Sequence, residues 1–216
     1  MNLQIVPGIR QPNSVHKSEA REVNSLSSVL SRALHNEPQL LYLIPDEQTR
    51  RAVSPWFFQT AIQVSRIWGE IYTTDTADGV ALWMSPEHNW TIGRIVRTGI
   101  IGIPFDLQSQ IQISRRFLKL CTSLAKARRQ LAPLSHWYLM ILGVESEHEE
   151  AVGGALIEPV LSRADSTGMP CYLETFNEKR LGFYKNHGFR IAGAGKIPGG
   201  GPSFWAMTRA AKIRSG

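Results

Sequence analysis

The stretch Tyr172–Arg190 reads YLETFNEKRLGFYKNHGFR. It opens like a buried strand, passes through Asn177, and closes on GFYKNHGF. Packing alone does not require an asparagine seven residues before a tyrosine that a Gly-Phe pair then follows. The preceding residues MPCYLETF read as a buried strand, and EKRLGFYKNHG reads as a short helix stopped by Gly188.

Working outward, HWYLMILGV (136–144) is a nearly continuous apolar run, the pattern of a strand buried on both faces. An acidic loop, ESEHEE, leads to AVGGALIEPVLSRADSTG, a helix ending at Gly168. Its apolar positions Val152, Leu156, Val160 and Ala164 recur every four residues, and Pro159 is expected to bend it. GFRIAGAGKI and PSFWAMTRA form a closing hairpin. On the N-terminal side, SEAREVNSLSSVLSRAL and RAVSPWFFQTAIQVSRIW carry helical periodicity. GEIYTTD and GVALWMSP read as a hairpin turning at Ala77-Asp78-Gly79. The connection Pro86–Pro133 holds the Gly- and Pro-rich RTGIIGIPFDL and then the amphipathic helix SRRFLKLCTSLAKARRQL. Phe117, Leu120, Cys121 and Leu124 form its apolar stripe. Arg115, Arg116, Lys119, Lys126, Arg128 and Arg129 form a basic face, read as solvated, with a phosphate or acceptor contact as the alternative. Two strands, a helix-rich connection and then β-α-β-α-β-β predict an α/β (α+β) sheet with mixed pairing. No linker interrupts it, so residues 1–216 are expected to form one domain.

The 216 residues suffice for a sizeable core, and 43% hydrophobic with 19% charged residues is ordinary for a globular chain. A net charge of +6 fits an anionic partner but does not choose among nucleic acid, membrane surface and a phosphate-bearing ligand. The basic helix has no recognised nucleic-acid motif around it, so nucleic-acid binding is not expected. The two cysteines, Cys121 and Cys171, form no CxxC and no zinc-spaced cluster, so neither a metal nor a disulfide is expected. No apolar run reaches membrane-spanning length, and MNLQIVPGIRQPN has no signal-peptide core. A cytoplasmic protein without membrane contact is the expectation, with a homodimer left open.

Gly153 and Gly154 are expected to open the helix after the 136–144 strand. Strand, loop and glycine-led helix is an anion-binding arrangement, because free backbone N–H groups and the helix dipole face the ligand. Two glycines there also suit a tight packing contact. Taken together, HWYLMILGV, GGALIEPVLSRAD, GMPCYLETFNEKRLGFYKNHGF and PGGGPSFWAMTR resemble the GNAT superfamily of acetyltransferases across His136–Arg209. The resemblance implies a largely antiparallel central sheet flanked by helices. Its two central strands, His136–Val144 and Pro170–Thr175, would splay around acetyl-CoA. The cofactor core is then about 136–209, and acceptor-side elements occupy about 15–133. The implied cofactor contacts are Leu142, Val144, Ala151, Val152, Gly153, Gly154, Ala155, Asn177 and Tyr184. Asn177 and Tyr184 match the family's N-x-x-A-x-x-F-Y pattern, with Arg180 where alanine is usual. The phosphate loop departs from Q/R-x-x-G-x-G/A: His148 replaces Gln or Arg, and Ala151 replaces a glycine. Glu145, Glu147, Glu149 and Glu150 would repel phosphate unless they face solvent, which is the expected orientation.

The resemblance implies acetyl transfer from acetyl-CoA to an amine, which builds a tetrahedral oxyanion and releases a thiolate. Backbone N–H groups on a strand that has lost its neighbour can hold the oxyanion. Tyr184 is the candidate acid for the thiolate, and the reference values of ~10 for tyrosine and ~8.5 for a thiol require no large shift. Glu174 is the first candidate base, followed by His136 and by Glu87 and His88. Trp56, Phe57 and Phe58 read as core or pocket wall, and the two cysteines as small buried hydrophobes. The expected function is acetyl-CoA-dependent N-acetylation of a small primary amine by direct attack. The alternative is a GNAT-like module that binds CoA without turnover.

Overall fold

The computed structural model describes residues 14–87, 107–145 and 149–212. Among these, β1 (Val15–Lys17) and a short 3-10 turn lead into α1 (Val23–Ala33), α2 (Pro38–Leu43) and α3 (Glu47–Trp68). The hairpin β2 (Gly69–Thr74) and β3 (Gly79–Met84) comes next, then α4 (Leu107–Leu131) and β4 (Trp137–Val144). The chain continues as α5 (Glu149–Thr167), β5 (Cys171–Thr175), a 3-10 turn at Glu178–Arg180, α6 (Leu181–Asn186), β6 (Arg190–Lys196) and β7 (Ser203–Arg209).

The seven strands lie in the order β1-β2-β3-β4-β5-β7-β6. Every neighbouring pair is antiparallel except β4 and β5, which run parallel. A parallel pair needs a crossover, and α5 supplies it. The sheet is therefore mixed and largely antiparallel, as expected from the sequence. The β2–β3 turn closes with Ala77 N donating to Thr74 O at 2.8 Å, and Ala77 takes a left-handed φ of 54°.

Each face of the sheet has its own core. Trp83, Leu139, Leu173 and Met207 pack against Leu156, Ile157, Val160 and Leu161 of α5. That packing explains the four-residue apolar spacing of α5, which runs through Pro159 without ending there. On the opposite face, Ile71, Val80 and Leu82 meet Leu26 and Leu30 of α1, Ile62 of α3 and Leu120 of α4. Each such side chain, fully buried, contributes roughly 1.5–3 kcal/mol. The start of α3 is fixed by Asp46, whose carboxylate accepts from Thr49 N at 2.7 Å, with Glu47 in the first turn.

A buried ion pair ties the last strand to the crossover helix. Arg209 is 3% exposed and donates both terminal nitrogens to the Asp165 carboxylate at 2.7 Å. Its Nε donates to His187 O at 3.0 Å, at the end of α6. The Arg209 guanidinium holds the Asp165 carboxyl below its ordinary range. Replacing Asp165 with Asn should destabilise the fold by about 3–5 kcal/mol, because it leaves a buried guanidinium uncompensated. Since the folded-state pKa is depressed, this stabilisation is present above the unfolded pKa of ~3.9 and is lost as pH falls through the folded value. Denaturant melts should show wild type and Asp165→Asn far apart at pH 7 and converging at strongly acidic pH.

Candidate functional site

The ladder between β4 and β5 holds only three pairs, Trp137↔Cys171, Tyr138↔Tyr172 and Leu139↔Leu173. At the same point the register of β4 against β3 slips, since Trp83 pairs with Leu139 but Leu82 pairs with Ile141. Met140 is the extra residue of a β-bulge, which bends β4 and re-aims the residues beyond it. Before the bulge Trp137 and Leu139 face α5; after it Leu142 and Val144 do. Past Leu139 the β5-side edge of β4 has no strand beside it, and two cavities open there.

The first has a volume of about 190 Å³ and is bordered by Leu142, Val144, Glu149, Gly153, Asn177 and Arg180, among others. Four of the expected cofactor contacts, Leu142, Val144, Gly153 and Asn177, come together here. Ala151, Val152, Gly154 and Ala155 do not border it. The helix begins earlier than its glycines suggested: α5 starts at Glu149, so Gly153 and Gly154 lie inside it and do not open it. A Cβ on Gly153 would sit 3.2 Å from the Phe183 ring, and one on Gly154 would sit 2.9 Å from His187 Nε2. The pair is a seat for α6. The N–H groups left free at the helix start belong to the turn beginning at Glu149.

Across the mouth of this cleft lies a polar network. Asn177 caps the 3-10 turn by accepting from Lys179 N at 3.1 Å, and its Nδ2 donates to Glu37 Oε1 at 3.1 Å. Arg180 pairs with Glu37 at 3.4 Å and with Glu149 at 2.5 Å. Glu145 points elsewhere, held by Arg32 through two contacts of 2.7 Å. Glu149 and Glu150 border the cleft and are both solvent-exposed, with Glu149 also turned to Arg180.

The second cavity, about 210 Å³, lies between the sheet and helices α2, α3 and α4. Leu142 and Arg180 border both cavities. Trp56, Phe57, Phe117, Leu124, Met140 and Phe176 form its walls, so the aromatic run of α3 is pocket wall. Two polar groups of residues reach it. The first is Tyr184 with Glu37 and Arg180. Tyr184 is 5% exposed, and its ring packs edge-on against Phe183 and Phe189. Burial pushes its phenol up to about 12, with Arg180 acting against this and Glu37 and Glu149 adding to it. The near-ordinary value expected from the sequence is corrected by this burial. Among the described residues its hydroxyl has no hydrogen-bond partner.

The second group is Glu174 with Tyr138, Arg128 and Cys121. Both Glu174 carboxylate oxygens are buried and make no hydrogen bond of ordinary geometry. Burial raises its pKa, while Arg128 and the hydroxyls of Tyr138 and Tyr172 favour the charged form. None of these is among the charged neighbours of Tyr184, so the structure keeps Glu174 and Tyr184 in separate electrostatic environments. Arg128 also corrects the solvated-face reading of α4: its guanidinium lies 4.7 Å over the Tyr138 ring and borders the cavity.

Among the described residues, the remaining base candidates, His136 and Glu87, do not border the cavity. His136 Nδ1 donates to Pro133 O at 2.7 Å, its ring meets Tyr172 edge-on, and burial lowers its pKa. Glu87 is exposed beyond β3. His88 and the apolar stretch Ile100–Phe105 lie outside the described residues. Burial pushes the thiols of Cys121 and Cys171 up to about 12, which suits hydrophobes and not nucleophiles. Glu37 escaped sequence reasoning. It precedes Pro38 at the start of a helix too short to show periodicity, and it meets Asn177 across 140 positions of chain. Among the described residues there is no cluster of metal-ligating side chains, and no helix is long and apolar enough to cross a membrane.

No family model matches the chain. An uncharacterised N-acetyltransferase of Schizosaccharomyces pombe is 26% identical over 180 residues, 79% of this chain and 72% of that protein. A Corynebacterium glutamicum structure described as histone acetyltransferase HPA2 and related acetyltransferase superposes with a TM-score of 0.62 at 22% identity, covering 94% of this chain and 99% of the other. The polyamine N-acetyltransferase of Drosophila melanogaster gives 0.56 at 14% identity, with 92% and 100% covered. The chain thus shares the fold of these acetyltransferases and is similar in sequence to an N-acetyltransferase.

Glu174 provides a test of the cavity's electrostatics. Its folded-state pKa is raised, so its contribution is favourable below the unfolded pKa of ~4.3 and is lost as pH rises through the folded value. Glu174→Gln should therefore melt higher than wild type at pH 8, and the gain should shrink as pH falls towards 4. Calorimetric melts across pH check this; a gain that grows on acidification would contradict it.

Proposed function

We propose that the protein is an acetyl-CoA-dependent N-acetyltransferase that acetylates a small primary amine by direct attack. The observation that carries this reading is the parting of β4 from β5 after Leu139, which opens a helix-headed cleft on one side and an enclosed aromatic cavity on the other, joined at Leu142 and Arg180. Those residues fit the cosubstrate. The free N–H groups of the first α5 turn suit its diphosphate. Arg180 already carries an anion there, the Glu149 carboxylate. The cleft edge of β4 suits the pantetheine arm. Bound there, acetyl-CoA supplies an activated acyl group and a thiol leaving group.

The chain's own residues then have distinct tasks. Glu37, at the junction beside Arg180 and Asn177, holds the incoming ammonium and takes its proton, in the role that the sequence suggested for Glu174. Backbone N–H groups past the Met140 bulge donate to the developing oxyanion. Tyr184 donates its hydroxyl to the departing sulfur. With its phenol pushed up to about 12, complete transfer to a thiolate is uphill by roughly 3.5 pKa units from the reference thiol value. The step is therefore hydrogen-bond donation that becomes proton transfer as the tetrahedral adduct collapses, with Arg180 lowering the cost. Polyamine and arylalkylamine acetyltransferases among the structural neighbours agree with a small amine as acceptor.

Two experiments test the reading. Tyr184→Phe should leave CoA affinity within a few-fold and lower turnover about ten-fold or more. Equal turnover would reduce Tyr184 to packing, and no turnover by wild type with any amine would favour a non-catalytic CoA-binding module. Glu149→Gln should tighten acetyl-CoA binding about three- to ten-fold at low ionic strength, since a carboxylate is removed from the phosphate site and Arg180 is released. The gain should shrink in 0.5 M salt, about where the screening length falls below ~5 Å; titration calorimetry reads both.

A further inference from the structure

We propose that the outer face of α4 is a docking surface for an anionic lipid bilayer, on which the helix lies flat without crossing the hydrocarbon. This face borders neither cavity and does not depend on acetyl transfer. The sequence alone reads the cations of α4 as solvated and expects no membrane contact; the folded helix departs from both expectations.

The net charge is concentrated on this one element. The chain holds 24 Lys and Arg against 18 Asp and Glu. Six of those cations and none of the acids lie on α4, so the other residues balance at 18 of each and the net +6 belongs to a single helix. Two of the six turn inward. The Arg128 guanidinium lies 4.7 Å over the Tyr138 ring, and that of Arg116 lies 5.8 Å over the Tyr42 ring. Arg115, Lys119, Lys126 and Arg129 are exposed, and among the described residues none of these four forms an ion pair.

Large apolar side chains share the face. At about 100° per residue, Ile111, Arg115, Leu118, Thr122, Lys126 and Arg129 fall within a sector of roughly 80°, with Lys119 at its rim. The buried Leu120 and Ala127 lie on the opposite side of the helix. Ile111 is 43% and Leu118 53% exposed, and Leu134, three residues past the helix end, is wholly exposed. Half of the six large apolar side chains exposed among the described residues are therefore on or just beyond α4, which sets this face apart from ordinary scatter. From Ile111 to Arg129 it runs about 27 Å. Nucleic acid would be held by the cations alone, since Ile111, Leu118 and Leu134 add no donor for phosphate or base. A bilayer surface uses both kinds of side chain. Anionic headgroups attract the cations, whose long stems keep the charge at headgroup level, while the apolar side chains enter the boundary with the acyl chains. No helix among the described residues is long and apolar enough to cross a membrane, so α4 rests on the surface.

The test is co-sedimentation of the full chain with large phosphatidylcholine vesicles, with and without about 30 mol% phosphatidylserine, in about 0.1 M salt. Wild type should partition onto the anionic vesicles at least about ten-fold more strongly than onto phosphatidylcholine alone. Most of that preference should be lost in about 0.5 M salt, where the screening length falls below ~5 Å. Each cation at an anionic surface gives about a five-fold gain in partitioning, so replacing Arg115, Lys119, Lys126 and Arg129 together with Gln should lower it at least about 100-fold. Ile111→Ser with Leu118→Ser should lower it about ten-fold with all four charges in place. Every substituted position is exposed, so thermal melts of both variants should match wild type. A short DNA duplex is the counter-probe, and it should neither displace wild type from the anionic vesicles nor bind it more tightly than they do. Equal partitioning onto both vesicles overturns the proposal, as does a serine pair that partitions like wild type. Tight duplex binding that survives the serine pair would make the face a nucleic-acid surface instead. Acetyl-CoA affinity and turnover in solution should be unchanged in both variants, so a failure of acetyl transfer and a failure of lipid docking are read separately.

Discussion

The bulge at Met140 is the constraint on which the site depends. One extra residue in β4 turns the strand just where its pairing with β5 ends. The consequence is chemical as well as geometric. A strand edge without a partner keeps backbone N–H groups that would otherwise be spent in a ladder. The rest of the sheet supplies the rigidity that makes such an opening tolerable. β3 stays paired with β4 as far as Val144, and β5 stays paired with β7 as far as Thr175. The gap is held open from both sides by continuous antiparallel ladders, so it does not have to be held open by a ligand.

Much of this architecture was legible in the sequence because it rests on local pattern. The unbroken apolar runs of β4 and β5, the four-residue spacing in α5 and the Gly188 stop after α6 all stem from burial on one or both faces. The β2–β3 hairpin was legible for the same reason. Features that depend on contacts between distant segments were not legible. The sequence places the glycine pair at the helix start and allows a tight packing contact there; the packing holds, but its partners, Phe183 and His187 thirty residues later, were not legible. Arg128 looked like one of six solvated cations, whereas the ring of Tyr138 draws it inward. Glu37 carried no signal at all, because a single glutamate before a proline is ordinary until Asn177 and Arg180 meet it.

The departure at Arg180 shows how one substitution reorganises a neighbourhood. Where a small side chain would leave the mouth of the cleft open, a guanidinium bridges carboxylates from α2 and α5. At about 4 Å and an effective dielectric of 20, each opposite-charge contact is worth about 4 kcal/mol before desolvation is subtracted. The acidic start of α5 is therefore partly neutralised, and the charge repulsion that the loop sequence suggested is smaller than a count of glutamates implies. Glu145 is removed from the balance altogether by Arg32.

Glu37 and Glu174, which both border the aromatic cavity, sit in different surroundings. Glu37 is engaged by Asn177 and Arg180, which fix its position at the junction of the two cavities. The Glu174 carboxylate is buried, and burial raises its pKa although Arg128 and the Tyr138 and Tyr172 hydroxyls act the other way. A fold selected only for stability would place an apolar side chain at that position, on the face of β5 that Tyr172 shares. Keeping a carboxylate there costs stability, which Arg128 and the two tyrosine hydroxyls offset in part. The cavity walls are largely apolar, so each interaction these acids make is strengthened by the same low dielectric that raises the cost of burying them.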